Sequence, residues 1–463
     1  MAGVLEAQPR QDAPGGTGPP GNAAESRNMR QVGHDDLQAR SAYKGHVQEQ
    51  NGRFIAYVGH HEGSALNPLT GTVEPNGNSI VDVTDPKNPV YLHHLPATVG
   101  SGARSLQTCA GDDLPNADPG TYFLHRETGN QAHEVWDVTD PSNPEFVVTI
   151  VDDLDGTHKN WWECDTGIAY LNVDIPGWHS NRHLQIFDLS DPHDPVFIRN
   201  YGLPGTQPFE DPTGLRLTGI HEPLVLDGRV YLAHGTGSDG ILQILDRDKL
   251  LEGDPDDPFD PHNPTNEQLL FPVISRFDTP SYMGVHTAFP LLGVELPEYE
   301  GFEEGTPRDF VAVINESTSN ECGESMHQMM FLLDITEVEQ PMPVSNYQVP
   351  ESEGGFCSRG GRFGAHSSNW DFTDVYYNRI LWVSYFNAGV RGVDVRDPFN
   401  PVEIAHFIPA VTENTDPRDG KIAIQTNNVD VDDRGFVYTF DRANTGMHIL
   451  EPTGQAKQIA NLP

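Results

Sequence analysis

The chain has 463 residues, of which 36% are hydrophobic, with 45 Gly and 38 Pro, and it contains no apolar run of the ~18 residues that a membrane helix needs. Its 28 Lys and Arg stand against 68 Asp and Glu, a formal net charge of -40 at pH 7. Such a chain repels phosphate-bearing partners, so the expectation is no nucleic acid, no membrane and a small-molecule partner instead.

Residues 1–40 open with "MAGVLEAQPRQDAPGGTGPPGNAAESRNM", which has neither the basic segment nor the apolar segment of a secretory signal. Pro, Gly and polar residues dominate it and cannot build a core. A disordered or extended leader is expected here, and a cytoplasmic location with it.

From residue 41 one unit recurs. It begins with a hairpin, as in "HVQEQNGRFIAYVGH" (His46 to His60), "HKNWWECDTGIAYLNV" (His158 to Val173), "HEPLVLDGRVYLAHG" (His221 to Gly235) and "NNVDVDDRGFVYTFDR" (Asn427 to Arg442). Asn-Gly, Asp-x-Gly or Asp-Gly at the centre is a hairpin turn. Then comes a phrase that alternates apolar and polar residues and stops at Asp-Pro: "IVDVTDPKNP" (Ile80 to Pro89), "VWDVTDPSNP" (Val135 to Pro144), "IFDLSDPHDP" (Ile186 to Pro195) and "GVDVRDPFNP" (Gly392 to Pro401). Looser copies are "QILDRDKL", "FLLDITEVEQP" and "MHILEP", which makes seven. Alternation suits a strand, Pro ends its ladder, and a further apolar run follows the turn.

Four strands repeated seven times predict an all-β chain, a seven-bladed β-propeller of four-stranded blades. The blades are expected over 41–99, 100–151, 152–205, 215–280, 281–350, 355–412 and 420–463, with the acidic stretches 252–268 and 293–309 as long loops. The Asp-Pro phrase, together with "FCSRGGRFGAH" (Phe356 to His366), "YFNAGVRGVDVRDPFNPVEIAHFIP" (Tyr385 to Pro409) and "QTNNVDVDDRGFVYTFDR" (Gln425 to Arg442), resembles the LVIVD-repeat proteins. The resemblance spans nearly everything after the leader. It implies a propeller and names no substrate, because most members carry no assigned activity.

The innermost strand of a propeller blade runs along the axis, so its first residues form a ring at one mouth. Four consecutive units carry Gly-x-His there: His158, His221, His286 and His366. Imidazoles bind a first-row metal at about 2.0–2.1 Å, and only the axis lets strands from separate blades converge that closely. An all-imidazole set favours iron or copper, allows zinc, and disfavours calcium and magnesium. By architecture alone the arrangement looks like that of the carotenoid-cleaving oxygenases, whose motifs are absent. The alternative is a structural His copied by the repeat.

The second strand returns to the same mouth and brings His60 or His61, His125 with Arg126, His234, Glu316, Asn387, and Asp441 with Arg442. Glu316 is expected to orient a ligand or act as a general base. His234 and Arg442 are expected to hold an anionic or phenolic substrate. Glu222, by strand alternation, should face away. Trp161, Trp162, Tyr282, Phe289 and Trp370 either line an apolar pocket or pack between blades.

The four cysteines, Cys109, Cys164, Cys322 and Cys357, contain no CxxC pair. Either Cys322 and Cys357 form a disulfide in an oxidising compartment, or all four are free thiols. The functional expectation is a metal-dependent enzyme oxidising or oxygenating a small organic substrate, possible cofactors being iron or copper. With zinc the same site suits hydrolysis or elimination by Lewis-acid chemistry. A non-catalytic binding scaffold is the alternative of another class.

Overall fold

A computed structural model describes residues 11–12, 23–98, 102–213, 218–299, 301, 305–322, 324, 326–418 and 421–463. The chain is all-β, 48% strand and 7% helix. Five antiparallel four-stranded sheets follow one another along the sequence, four of them simple meanders and the first interrupted by a separate hairpin, Ser64–Asn67 with Thr72–Pro75, between its second and third strands. Their first strands are Ala42–Gln50, Leu106–Ala110, Gly156–Trp162, Ile220–Leu226 and Val285–Val294. Two further sets begin with Phe363–Ser368 and Thr426–Val431 and are joined into one ten-stranded sheet through the pair Phe386 and Thr426. The first strands lie against one another in chain order, and Thr426–Val431 comes back against Ala42–Gln50.

The Asp-Pro phrase owes its regularity to two carboxylates. Asp82 ends a third strand and accepts from the Thr84 N–H at 2.9 Å, while Asp85 accepts from the Lys87 N–H at 3.0 Å. Asp137 and Asp140, Asp188 and Asp191, and Asp394 and Asp397 repeat the arrangement. Each Asp replaces a ladder bond that the turn forgoes, which is why the phrase survives where its neighbours vary. Apolar faces then pack sheet against sheet. Val47, Ala56 and Val81 of the first sheet, for example, meet Tyr438, Phe440 and Ile449 of the last set, and a large aliphatic or Phe side chain among them contributes about 1.5–3 kcal/mol by leaving water.

Of the expected leader, residues 1–10 and 13–22 lie outside the described residues, and residues 23–40 include extended strands that join the sheets. Met29–Asp35 pairs with Gly446–Pro452 and supplies the fourth strand of the last set, which the C-terminal segment alone leaves at three. Glu25–Arg27 adds to Val402–Ile408. Only Met29 and Gly33 of "MRQVGHD" are buried, and a register shift falls between Gln31 and Gly33, so a polar segment serves here as an edge strand.

Both cysteine pairs are closed, Cys109–Cys164 with Cα atoms 5.4 Å apart and Cys322–Cys357 with Cα atoms 5.2 Å apart, leaving no free thiol. Cys109 and Cys164 sit where the first strands of neighbouring sheets end side by side. Disulfides are the chemistry of an oxidising environment rather than of the reducing cytosol. Among the described residues no helix is long and apolar enough to cross a membrane.

Candidate metal centre

The first and second strands slip register where the Gly-x-His motifs fall. Ile220 pairs with His234, yet Glu222 already pairs with Ala233; Val285 pairs with Asn315, and Thr287 with Ile314. Similar shifts occur at His158, between Phe363 and Ser367, at Asn427, and between Ala42 and Gly45. A bulge sets two residues against one and breaks strict alternation. Consecutive side chains therefore both turn inward, His221 with Glu222 and His286 with Thr287, and all four are buried. This corrects the expectation for Glu222, which does not face away.

Four imidazoles follow one another around the centre. Ring centroids are 4.4 Å apart for His158 and His221, 3.8 Å for His221 and His286, and 4.2 Å for His286 and His366. His158 Nε2 and His221 Nε2 are 2.8 Å apart. Glu316, just beyond the strand Arg308–Asn315, brings its carboxylate 3.9 Å from His221 Nε2 and 3.7 Å from His366 Nε2. One ligand atom each from His221, His286 and Glu316 lies within 4.8 Å of the others, a group able to hold a metal ion. Atoms each ~2.1 Å from one ion are separated by roughly 3–4 Å at ordinary coordination angles.

Hydrogen bonding decides which nitrogen carries the proton. His286 Nδ1 lies 2.7 Å from Thr287 Oγ1, whose hydroxyl donates to Glu222 Oε2 at 2.6 Å. Since that hydroxyl proton is committed to the carboxylate, Nδ1–H must be the donor to Thr287, and Nε2 is left with its lone pair. That Nε2 is buried and has no hydrogen-bond partner. His366 follows the same logic, its Nδ1 donating to the Asn427 carbonyl. A carboxylate or carbonyl behind a ring is the usual outer support of a metal-bound histidine.

Electrostatics keep the rings neutral. Burial first, then neighbouring imidazoles and the cations Arg182 and Lys159, push His221 and His286 well below the usual histidine range; burial, then Arg182, Arg104 and Lys159, do so for His158, and burial and Lys159 for His366. Neutral imidazole is the ligating form. Burial opposes the charge of Glu222, but Lys159 (3.4 Å) and Lys44 (3.8 Å) hold its carboxyl below the normal range. Lys44, in turn, is pushed down to about 8 by burial.

Of the remaining expected residues, Arg442 lines a polar recess of about 320 Å³ with Ser41, His61, Glu62, Asn76 and Asn444. His61 meets the Tyr43 ring edge-on at 4.9 Å. His234 lies elsewhere, bonded through Nε2 to Gln243 of its own sheet at 2.9 Å. His60 is bound to Ser79 of its own sheet, His125 to His133 of its own sheet and Asn160 of the next, and Asn387 to the Phe356 carbonyl of a short helix. Trp161 and Trp162 line a cavity of about 660 Å³, three and four residues past His158 and so ~10–13 Å along the strand. Trp370 packs on Trp161 and His46, and Phe289 on Phe372, while Tyr282 is 69% exposed.

Two residues of the centre escaped the sequence pattern. Tyr43 takes the first sheet's place in the ring, with its hydroxyl 3.1 Å from His158 Nε2, and His46 sits farther along, bonded to Thr108. Lys159 is fully buried beside His158. The shared signal is position: each directly precedes or follows a residue at the bulge. No protein-family model matches this chain, and no curated protein is similar enough to count as a relative.

Proposed function

We propose that the seven four-stranded sets form a seven-bladed β-propeller of the LVIVD-repeat kind, and that His158, His221, His286 and His366 hold one transition-metal ion at its axis. Glu316 is the fifth group, a ligand or a base beside the ion, kept in place by Arg362 Nη1 at 2.9 Å. The chain is then a metal-dependent enzyme acting on a small organic substrate. Neutral nitrogen ligands favour iron or copper and oxidation or oxygenation. With zinc, the same cup polarises a carbonyl or a water for hydrolysis or elimination.

The observation that carries this reading is His286 Nε2, a buried lone pair with no partner, facing a space bounded by other imidazoles and a carboxylate. Leaving a buried polar atom unpaired costs about 1–3 kcal/mol; His60, His133 and His234 also leave one ring nitrogen unpaired, and His286 differs in that His221 and Glu316 each bring a ligand atom within 4.8 Å of its own. The test is Cu²⁺ loading followed by electron paramagnetic resonance. Nitrogen couplings from at least three imidazoles, reduced by His286→Ala and by His366→Ala, are expected. A spectrum unchanged by both substitutions contradicts the ligand set.

A further inference from the structure

The chain as a whole is strongly acidic, yet cations as well as the carboxylates of Glu316 and Glu222 surround the four histidines. Arg104, Arg182 and Lys159 act on His158, and Lys159, Arg442 and Arg362 on His366. Beyond a Debye length of about 8 Å the acidic surface is screened, so the local balance decides what enters.

Most of these cations are engaged. Arg104 binds Glu127 (3.3 Å), Asn130 Oδ1 (2.6 Å) and the Thr157 carbonyl (2.8 Å). Arg362 donates to Glu316 and to the Ser317 carbonyl. Lys159 pairs with Glu222. Arg182 differs: among the described residues its guanidinium makes no hydrogen bond and no ion pair.

The position of Arg182 is nevertheless fixed. Its N–H donates to Asp174 Oδ1 at 2.5 Å, and its carbonyl accepts from the Ile220 N–H at 2.8 Å. It holds φ at 60°, a left-handed backbone that a residue with a long side chain rarely adopts and that is most often retained at functional sites. The residue after Ile220 is His221, so Arg182 is bonded through its backbone one residue away from the ring of imidazoles. Its charge bears on His158, His221, His286, Tyr43 and Glu316. Asp174 is committed to the backbone N–H, and Glu316 to Arg362. A partly buried guanidinium without a partner is costly, and burial indeed lowers its proton affinity.

We propose that Arg182 seats the carboxylate of a small organic acid, so that the substrate is an anion whose adjoining carbon faces the axial centre. This reading rests on the metal centre proposed above. The planar guanidinium offers two parallel N–H groups that match a carboxylate, which both orients the acid and supplies the missing counter-charge. A neutral amide of the same shape gives no such match.

Isothermal titration of the full-length, metal-loaded protein with acetate, benzoate and benzamide tests the seat. Acetate and benzoate bind, benzamide does not, and Arg182→Gln weakens benzoate on the order of 10- to 100-fold with unchanged metal content and melting temperature. Arg182→Lys retains part of the affinity, which separates loss of the seat from misfolding. Equal binding of benzamide, or benzoate affinity unchanged in Arg182→Gln, overturns the proposal. Protein that holds no metal but still binds benzoate through Arg182 keeps the seat and removes the metal reading. Protein with one metal and no benzoate affinity does the reverse.

Discussion

At the scale of single residues, the centre is organised by what stands behind the rings. Thr287 is the joint between His286 and Glu222, and its hydroxyl both accepts from the ring and donates to the carboxylate. Thr287→Val keeps the volume and removes that joint. We expect metal affinity to fall about 10- to 100-fold and the melting temperature to drop as well, because two buried polar atoms lose their partner, with Thr287→Ser restoring both, as measured by competition with a chromophoric chelator and by thermal unfolding. Glu222 also neutralises two buried ammonium groups. Glu222→Gln leaves them uncompensated, and urea titration should register a loss of about 3–5 kcal/mol; a loss below about 1 kcal/mol would mean that Lys44 and Lys159 are neutral in the folded chain.

The same pair of positions explains what could be read beforehand. His158, His221, His286 and His366 were legible because Gly-x-His repeats as a phrase. Glu222, Lys159 and Tyr43 were not, since alternation assigns neighbours to opposite faces and a one-residue bulge leaves no mark in composition. Arg182 belongs to the loop before the third strand of its sheet, outside any repeated phrase.

At the scale of elements, the glycines of those motifs mark where backbones approach closely. A Cβ on Gly284 would lie 2.2 Å from the Gly235 carbonyl oxygen, and one on Gly219 2.4 Å from the Asn181 carbonyl oxygen. Neither neighbour is a flexible side-chain end, so the strand would have to shift. Gly284→Ala is therefore expected to cost about 1–3 kcal/mol and, by displacing His286 two residues on, to lower metal affinity as well. Unchanged affinity in a destabilised variant would separate the packing role from the site. Hairpins and Asp-Pro turns were legible because their chemistry is local, whereas the Met29–Asp35 strand was not. Its partner, Gly446–Pro452, lies at the other end of the chain, and no local pattern encodes that pairing. Cys109 and Cys164 escaped for the same reason, being 55 residues apart.

At the scale of the molecule, the two ends of the described chain meet in one sheet, so closure is a property of the whole. A chain lacking residues 1–35 exposes the edge of Gly446–Pro452 and is expected to lose cooperative unfolding or to aggregate; an unaltered thermal transition would deny the strand that role. Buried histidines set the acid limit. Burial pushes His94, His183 and His234 down to about 4 and His133 to about 3, whereas unfolded histidine titrates near about 6.5. Between those values the unfolded chain binds protons that the folded chain refuses. Stability is therefore complete above pH 6.5 and falls as pH drops toward 4, by up to about 1.4 kcal/mol per pH unit for each such ring. Urea midpoints measured from pH 7 to pH 4 should decline accordingly, and a flat profile would contradict the neutral assignment.

The central claim is that the four rings share one ion. Elemental mass spectrometry of the chain, purified without an affinity tag and without added metal, tests it most directly when set beside the His286→Ala, His366→Ala double variant. The account predicts near one equivalent of iron, copper or zinc in the unaltered chain and almost none in the variant. Folded, unaltered protein that carries no metal and takes up none on titration, or a double variant that retains a full equivalent, would contradict it.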